Sequence, residues 1–334
     1  MAALELTVPL VAAPMAGGPS TVALVVAAAR SGGVGFLAAG YQSPTALQDQ
    51  IDGVRAAGVP FGVNVFAPGP QPVEPAEFRA YATALEPEAA RYGLSLRDAR
   101  PVEDDDSWQD KVDLLRRDPV PLVSFTFGIP AAAVIAGLRR AGTTVLQTVT
   151  NVDEARAAEE AGVDALIVQN ASAGGHFGTL TPGRAADPFA AIKETVSLPL
   201  LAAGGLATAA DVSRALRAGA KAAVLGTALL LADESGANPT HRAALADGIR
   251  ETVVTRAFTG RPARALRTTF IDRYDPVAPA GYPAVHHLTS PIRRAAALAG
   301  DTERLHLWAG AGYRQARAEP LAATFARLYQ ATGA

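Results

Sequence analysis

A short mark recurs along this chain. A helical stretch closes on a small residue plus glycine, and an apolar run begins soon after. It stands at Ser31-Gly32, Ala57-Gly58, Ala141-Gly142, Ala161-Gly162 and Ala218-Gly219. Glycine just past a helix supplies the left-handed residue that caps it, because it has no Cβ to clash. A short apolar run behind such a cap reads as a buried strand. Repeated helix–cap–strand units build a parallel sheet, since each strand must be reached by a crossover.

Eight apolar runs follow this rhythm: Leu10–Ala13, Gly35–Ala38, Phe61–Phe66, Leu122–Phe125, Thr144–Gln147, Ala165–Val168, Leu198–Ala202 and Ala222–Leu225. Helix starts between them carry cap residues, among them Ser43 before Pro44, Asn151 or Asp153, and Thr208. Eight such units predict an α/β fold of the closed (β/α)8 TIM-barrel type rather than an open doubly wound sheet. Residues 1–66 and 120–234 carry the barrel pattern. Residues 67–119 form an insertion after the third strand, with helices near Pro75–Leu85 and Pro87–Tyr92 and the acidic run Glu103–Asp106. Residues 235–334 form a helical C-terminal extension, with helices around His241–Thr259 and Ser290–Ala299 and a Pro/Tyr-rich link at 274–283. Insertion and extension are expected to pack together as a lid or second lobe.

Composition removes several function classes. The 334 residues are 49% hydrophobic, enough for a large core. A net charge of −2 leaves no basic footprint for nucleic acid. Cysteine is absent, which excludes disulfides, thiolate metal sites, iron–sulfur clusters and cysteine nucleophiles. The first basic residue is Arg30, unlike a secretory leader, and the longest apolar runs, Val22–Ala29 and Ala222–Ala232, are too short to span a bilayer. A cytoplasmic protein off the membrane is expected, as a monomer or homodimer. No metal is expected either: Glu103–Asp106 reads as a solvated loop, and His286-His287 as surface or packing.

In a barrel of this kind chemistry gathers at the carboxyl ends of the strands. Those ends carry Ala13, Pro14 and Met15, then Asn64, Phe125 to Gly128, Gln147, Gln169, Gly204-Gly205, and Val224-Leu225-Gly226-Thr227. Glycines after the seventh and eighth strands stand where backbone N–H groups meet a phosphate in this architecture. Neither a dinucleotide fingerprint nor a Walker motif accompanies them, since Gly33-Val34-Gly35 precedes a strand instead of following one. A phosphate-anchored cofactor without a nucleotide fingerprint points to a mononucleotide such as FMN. Asn64, Gln147 and Gln169 then meet its polar ring edge, and Met15 and Phe127 form apolar walls. Behind the sixth strand, the small residues Ala171 to Gly175 deliver His176. Small residues let the backbone approach a bound group, and a histidine on such a loop acts as a base near neutral pH. Phe177 and Tyr313 are candidates for the substrate side with Phe127, and Tyr274 and Tyr282 stand in the tail beside them.

Several of these stretches carry a family likeness. They are Ala13-Pro14-Met15-Ala16-Gly17, Asn64-Val65-Phe66, Ser124 to Gly128, Gln169, Ala173-Gly174-Gly175-His176-x-Gly178, Ala203-Gly204-Gly205-Leu206, Leu225-Gly226-Thr227 and Trp308-Ala309-Gly310. In this order the chain resembles nitronate monooxygenases over nearly its whole length, most specifically through the Gly-Gly-His element. The resemblance implies an FMN-dependent barrel without metal. It implies that Asn64, Gln169, Gly174, Gly205 and Val224 to Thr227 bind the flavin, with Gly175 beside them, and that His176 is the catalytic histidine. It implies an alkyl nitronate substrate, O2 as oxidant, and a carbonyl compound and nitrite as products. The chain departs from the common pattern at Asn170-Ala171-Ser172, Phe177 and Ala311, which makes the surroundings of the histidine less polar. Two other readings stay open. One is an FMN-dependent NAD(P)H:quinone or enoyl-thioester reductase of the same barrel family. The other is a non-catalytic flavin- or phospholigand-binding barrel.

Overall fold

A computed structural model describes residues 6–69, 71–178 and 186–330. Its strands are β1 (Leu10–Ala12), β2 (Val34–Ala38), β3 (Phe61–Ala67), β4 (Leu122–Phe127), β5 (Thr144–Val149), β6 (Ala165–Gln169), β7 (Gly175–His176), β8 (Leu200–Ala203), β9 (Ala222–Leu225), β10 (Thr252–Thr255) and β11 (Ala263–Leu266). β1 to β6, β8 and β9 close into a parallel barrel in chain order, β9 pairing back onto β1. The (β/α)8 fold expected from the helix caps is the fold observed. The five capping glycines take positive φ, from 67° at Gly58 to 104° at Gly219.

Helices α1 (Val22–Arg30), α2 (Pro44–Ala56), α3 (Pro75–Ala90), α4 (Trp108–Arg117), α5 (Ala132–Arg140), α6 (Val152–Ala161), α7 (Phe189–Thr195) and α8 (Ala209–Arg217) are followed by α9 (Pro239–Ala246), α10 (Thr269–Tyr274), α11 (Ala284–Leu298) and α12 (Leu321–Gln330). Ser43 caps α2 with Pro44 in its first turn, Asn151 caps α6, and Thr208 with Asp211 makes a capping box on α8. Each cap satisfies an N–H that the first turn leaves orphaned.

Strand alternation sorts the side chains into two layers. Val63 and Val65 of β3 face the helices with Phe125, Leu138 and Ile135. Val11, Phe36, Leu122, Leu146, Ile167 and Leu201 fill the barrel interior. Phe36 lies over Gly62, where a Cβ would come within 2.2 Å of its ring. That close approach is why β3 carries glycine at this inward position.

The remaining chain builds a cap. Phe78, Tyr81 and Leu85 of α3 share a core with Phe258, Phe270, Ile271, Tyr274, Leu288 and Ile292. Three sequence expectations need correction. Residues 241–259 are not one helix: α9 stops at Ala246, and the β-branched run Thr252–Thr255 pairs with β11 as a strand. The two short helices of the insertion are one, α3, which continues through Pro87. The boundaries 67–119 and 235–334 are also too wide. Leu114 and Leu115 of α4 pack in the barrel's outer layer, because α4 is the crossover from β3 to β4. Leu321, Phe325 and Leu328 of α12 likewise pack on the barrel, against Leu10 and Leu24. Among the described residues no helix is long and apolar enough to cross a membrane.

Candidate active site

A cavity of about 440 Å³ lies at the carboxyl ends of the barrel strands, between them and the cap. Ala13, Pro14, Met15, Asn64, Phe127, Gln169, Gly174, Gly175, His176, Gly204, Gly205, Val224, Gly226 and Thr227 line it. Gln147, Leu225, Phe177 and Tyr313, expected there from sequence, lie outside it. Gln147 shares the outward face of β5 with Val145 and Val149, and its Nε2 donates to the carbonyls of Gly128 (3.2 Å) and Thr148 (3.0 Å). Leu225 is one position out of phase with Val224 and packs with Leu24 and Phe325. Phe177 is buried beside the histidine, its N–H donating to the Pro262 carbonyl at 3.1 Å. Tyr313 is buried among Leu230, Leu245 and Leu307, with its hydroxyl on the Arg250 carbonyl.

The floor is a polar chain raised by adjacent strands. Asn64 Nδ2 donates to Ser124 Oγ at 2.9 Å and to Thr126 Oγ1 at 3.0 Å, and the Thr126 and Thr148 hydroxyls stand 3.5 Å apart. Gln169 at the end of β6 holds the histidine loop from both sides. Its Nε2 donates to the His176 carbonyl at 3.2 Å and its Oε1 accepts from Gly178 N–H at 2.8 Å. A buried network with its partners filled fixes geometry.

The tail clamps the same loop from above. β7 pairs antiparallel with β11, Ala263 opposite His176 and Arg264 opposite Gly175. Arg264 Nη2 donates to the Ala171 carbonyl at 2.8 Å, Ala311 N–H to the Ser172 carbonyl at 3.0 Å, and Gly310 N–H to Thr227 Oγ1 at 2.9 Å. Gly174 lies so close to this tail that a Cβ would come within 2.4 Å of Gly310 N and 2.6 Å of the Ala309 carbonyl carbon. At Gly226, by contrast, a Cβ would meet only Ala13 Cβ at 3.7 Å, so that glycine borders open cavity.

His176 Nε2 is 2.9 Å from Thr259 Oγ1. That hydroxyl is also 3.2 Å from the Arg261 carbonyl, so the Nε2 side of the ring is held against the Thr259–Arg261 turn. Burial, with repulsion from Arg261 and Arg293, pulls the His176 pKa down to about 3, so the ring is neutral at physiological pH. Around it stand Trp308 (ring centroids 5.2 Å), Phe127 (5.9 Å) and Tyr282 (6.0 Å). Phe127 has φ 84°, a left-handed backbone costly for an aromatic residue. Its N–H donates to the Gly178 carbonyl, and its ring lies 4.6 Å from Phe66 with the Arg261 guanidinium 3.6 Å over its face.

Several residues here escape sequence reading: Tyr41, Thr259, Arg261, His286, Arg293 and His306. His286, read as packing, lines the cavity and stacks on Tyr41 at 4.3 Å. His287 faces the other way, onto Asp104 at 2.7 Å. The acidic run is not simply solvated: Asp106 pairs with the buried Lys111 at 2.8 Å and accepts the Tyr41 N–H at 3.0 Å. The adjacent His286-His287 pair was a visible signal; the arginines gave none, because nothing in their spacing separates them from surface arginines.

Comparison with known proteins agrees with this architecture. The sequence profile described as nitronate monooxygenase matches residues 1–327. A probable nitronate monooxygenase of Staphylococcus aureus strain Newman is 35% identical over 332 residues, covering 95% of this chain and 92% of the relative. The structure of a nitroalkane oxidase from Streptomyces ansochromogenes superposes with TM-score 0.91 at 46% identity, covering 97% of this chain and 95% of that one. FabK from Thermotoga maritima superposes with TM-score 0.77 at 26% identity, covering 98% and 93%. The chain belongs to the nitronate monooxygenase family and is an oxidoreductase of that family.

Proposed function

We propose that the protein oxidises alkyl nitronates with O2, using FMN, to a carbonyl compound and nitrite. One observation carries this reading. The described lining of the cavity contains no Asp or Glu, and burial keeps the His176 ring in it neutral. An anionic substrate enters such a cavity without carboxylate repulsion. The names of the relatives point the same way, since a nitronate is the conjugate base of a nitroalkane. The 46% identity to the nitroalkane oxidase favours the nitro-compound reading over the reductase alternative.

The residues present fit a flavin mononucleotide. The open space beside Gly226, with Gly204 and Gly205 at the end of the neighbouring strand β8, leaves room for a phosphate against the backbone, and Asn64 and Gln169 offer amide edges to a ring. Bound there, the flavin supplies the two-electron acceptor from which O2 takes electrons. The chain supplies the rest. Thr259 holds the Nε2 side of the His176 ring, and the neutral imidazole can take the α-proton of a neutral nitroalkane. A nitronate needs no such transfer and needs only a cationic, dry contact. Trp308, Phe127 and Tyr282 crowd the imidazole and keep bulk water from it.

The test is an anaerobic visible spectrum of the purified protein before and after an alkyl nitronate is added. A yellow protein that bleaches or changes spectrum on nitronate is the expected result. A yellow protein that ignores nitronate but is reduced by a nicotinamide donor supports the reductase. A colourless protein that cannot be reconstituted with FMN overturns the flavin.

A further inference from the structure

Among the described residues one permanent cation lines the cavity, and none of them neutralises it. Arg293 on α11 is 5% exposed and forms no ion pair with any described residue. Its partners are neutral. Nε donates to Thr289 Oγ1 at 3.0 Å, and Nη2 donates to the His286 carbonyl at 2.8 Å and stands 3.2 Å from His286 Nδ1. Nη1 has one long contact, 3.4 Å to His306 Nε2. Of its two N–H groups, at least one is unused.

The histidines beside it do not dilute the charge. Burial and the guanidinium itself hold His286 and His306 well below the usual imidazole range. They act as neutral props for the plane of the arginine. A ring of contacts joins this group to the catalytic end of the cavity. His306 is 5.3 Å from Trp308, which is 5.2 Å from His176. On the other side His286 is 6.2 Å from Tyr282, which is 6.0 Å from His176.

Burying a guanidinium away from any carboxylate is costly. Orienting it with three side-chain props, one N–H left over, makes a site for an external anion. We propose that Arg293 is the specificity-determining anion anchor of this cavity. It recognises a planar oxyanion, the charge and two-oxygen geometry of a nitronate, and so selects the anion over the neutral nitroalkane. This rests on the nitronate reading only for the identity of the substrate; the anion site itself does not.

The experiment measures nitrate, a planar and unreactive oxyanion, by titration calorimetry against the purified flavin-loaded protein. Arg293→Gln is expected to weaken nitrate binding about tenfold or more and to raise the nitronate KM by a similar factor. Flavin retention and kcat should change much less, and Arg293→Lys should recover part of the loss. Equal nitrate affinity in the wild type and in a folded, yellow Arg293→Gln protein overturns the proposal. Should Arg293→Gln fail to fold, the wild type decides: a nitroalkane competing as tightly as its nitronate overturns the anchor, and a strong preference for the nitronate supports it. Arg293-dependent nitrate binding in a protein that ignores nitronate keeps the anchor and removes the proposed substrate.

Discussion

The two halves of the cavity wall are built by different rules. The barrel half presents backbone and small side chains at strand ends: Gly204, Gly205, Gly226, Asn64 and Gln169. The cap half presents large rings and cations: His286, Arg293, His306 and Trp308, with Tyr282 and Arg261 packed close behind the cavity residues. The barrel half is held by parallel strand pairing that recurs eight times around the ring. The cap half is held by contacts between segments far apart in the chain, such as Tyr81 donating to the Ala257 carbonyl at 2.6 Å and Tyr282 to the Tyr41 hydroxyl at 3.1 Å. The proposed function then implies a division of labour: the barrel would seat the cofactor and the cap would select and handle the substrate.

Gly174→Val breaks the boundary between the halves and carries the largest expected effect. The added side chain would collide with the backbone at Ala309 and Gly310, which cannot move without dragging the clamp on Thr227. The protein should be purified colourless and without activity. A yellow, active Gly174→Val protein would show that the tail clamp is dispensable. His176→Ala is expected to separate the functions instead. Flavin should be retained while turnover of a nitroalkane falls ~10²-fold or more, since a positioned base contributes that much. Loss of the flavin in this variant, or full turnover, would put the histidine on the wrong side of the comparison.

The same contrast explains what could be read from sequence. The barrel was legible because its rules are local. A capping glycine, an alternating strand and a polar strand end each declare themselves within a few residues, and so Asn64 and Gln169 could be placed in the cavity. Gln147 shows the limit: its position at the end of a run was right, but the strand continues to Val149 and turns the glutamine to the outer layer. Arg261 and Arg293 were invisible for a physical reason. Their meaning comes from lacking carboxylate partners among the described residues, and a missing neighbour leaves no mark in one-dimensional spacing. Tyr313 fails the opposite way, since an aromatic in a Gly-rich tail looks like a pocket wall until its hydroxyl is found on a carbonyl of the same tail.

Acid should test the cap before the barrel. Burial lowers His176 to about 3 and His241 to about 4, and depresses His286 and His306 in the same direction. The unfolded chain binds these protons below about 6.5, and the native state refuses them. Stability is therefore full above about pH 6.5 and is lost as pH falls through the window down to the native values, by at most about 1.4 kcal/mol per unit for each histidine. His241→Gln removes one such proton. Its melting temperature should fall less steeply than wild type between pH 6 and 4.5, and an unchanged slope would mean that carboxylates alone govern acid unfolding.

Arg261→Met gives the smallest effect and the sharpest one for the cap. Arg261 is 1% exposed, and none of its three guanidinium nitrogens has a hydrogen-bond partner among the described residues. Burial lowers its pKa to about 10, which still leaves it charged at neutral pH. Its contacts are the faces of Phe127 at 3.6 Å and Tyr282 at 5.3 Å, which recover part of the desolvation but none of the lost hydrogen bonds. Methionine keeps the packing against both rings and removes the unmet charge, so the variant should be more stable by roughly 1–3 kcal/mol, the usual cost of an unsatisfied buried group. It should also bind nitrate less well, because a second positive centre near His176 is gone. A variant that is both more stable and weaker for anions would mean that the cap holds a destabilising cation for the sake of the ligand. A destabilised variant with unchanged nitrate affinity would make Arg261 an ordinary part of the cap core, and the division of labour would then rest on Arg293 alone.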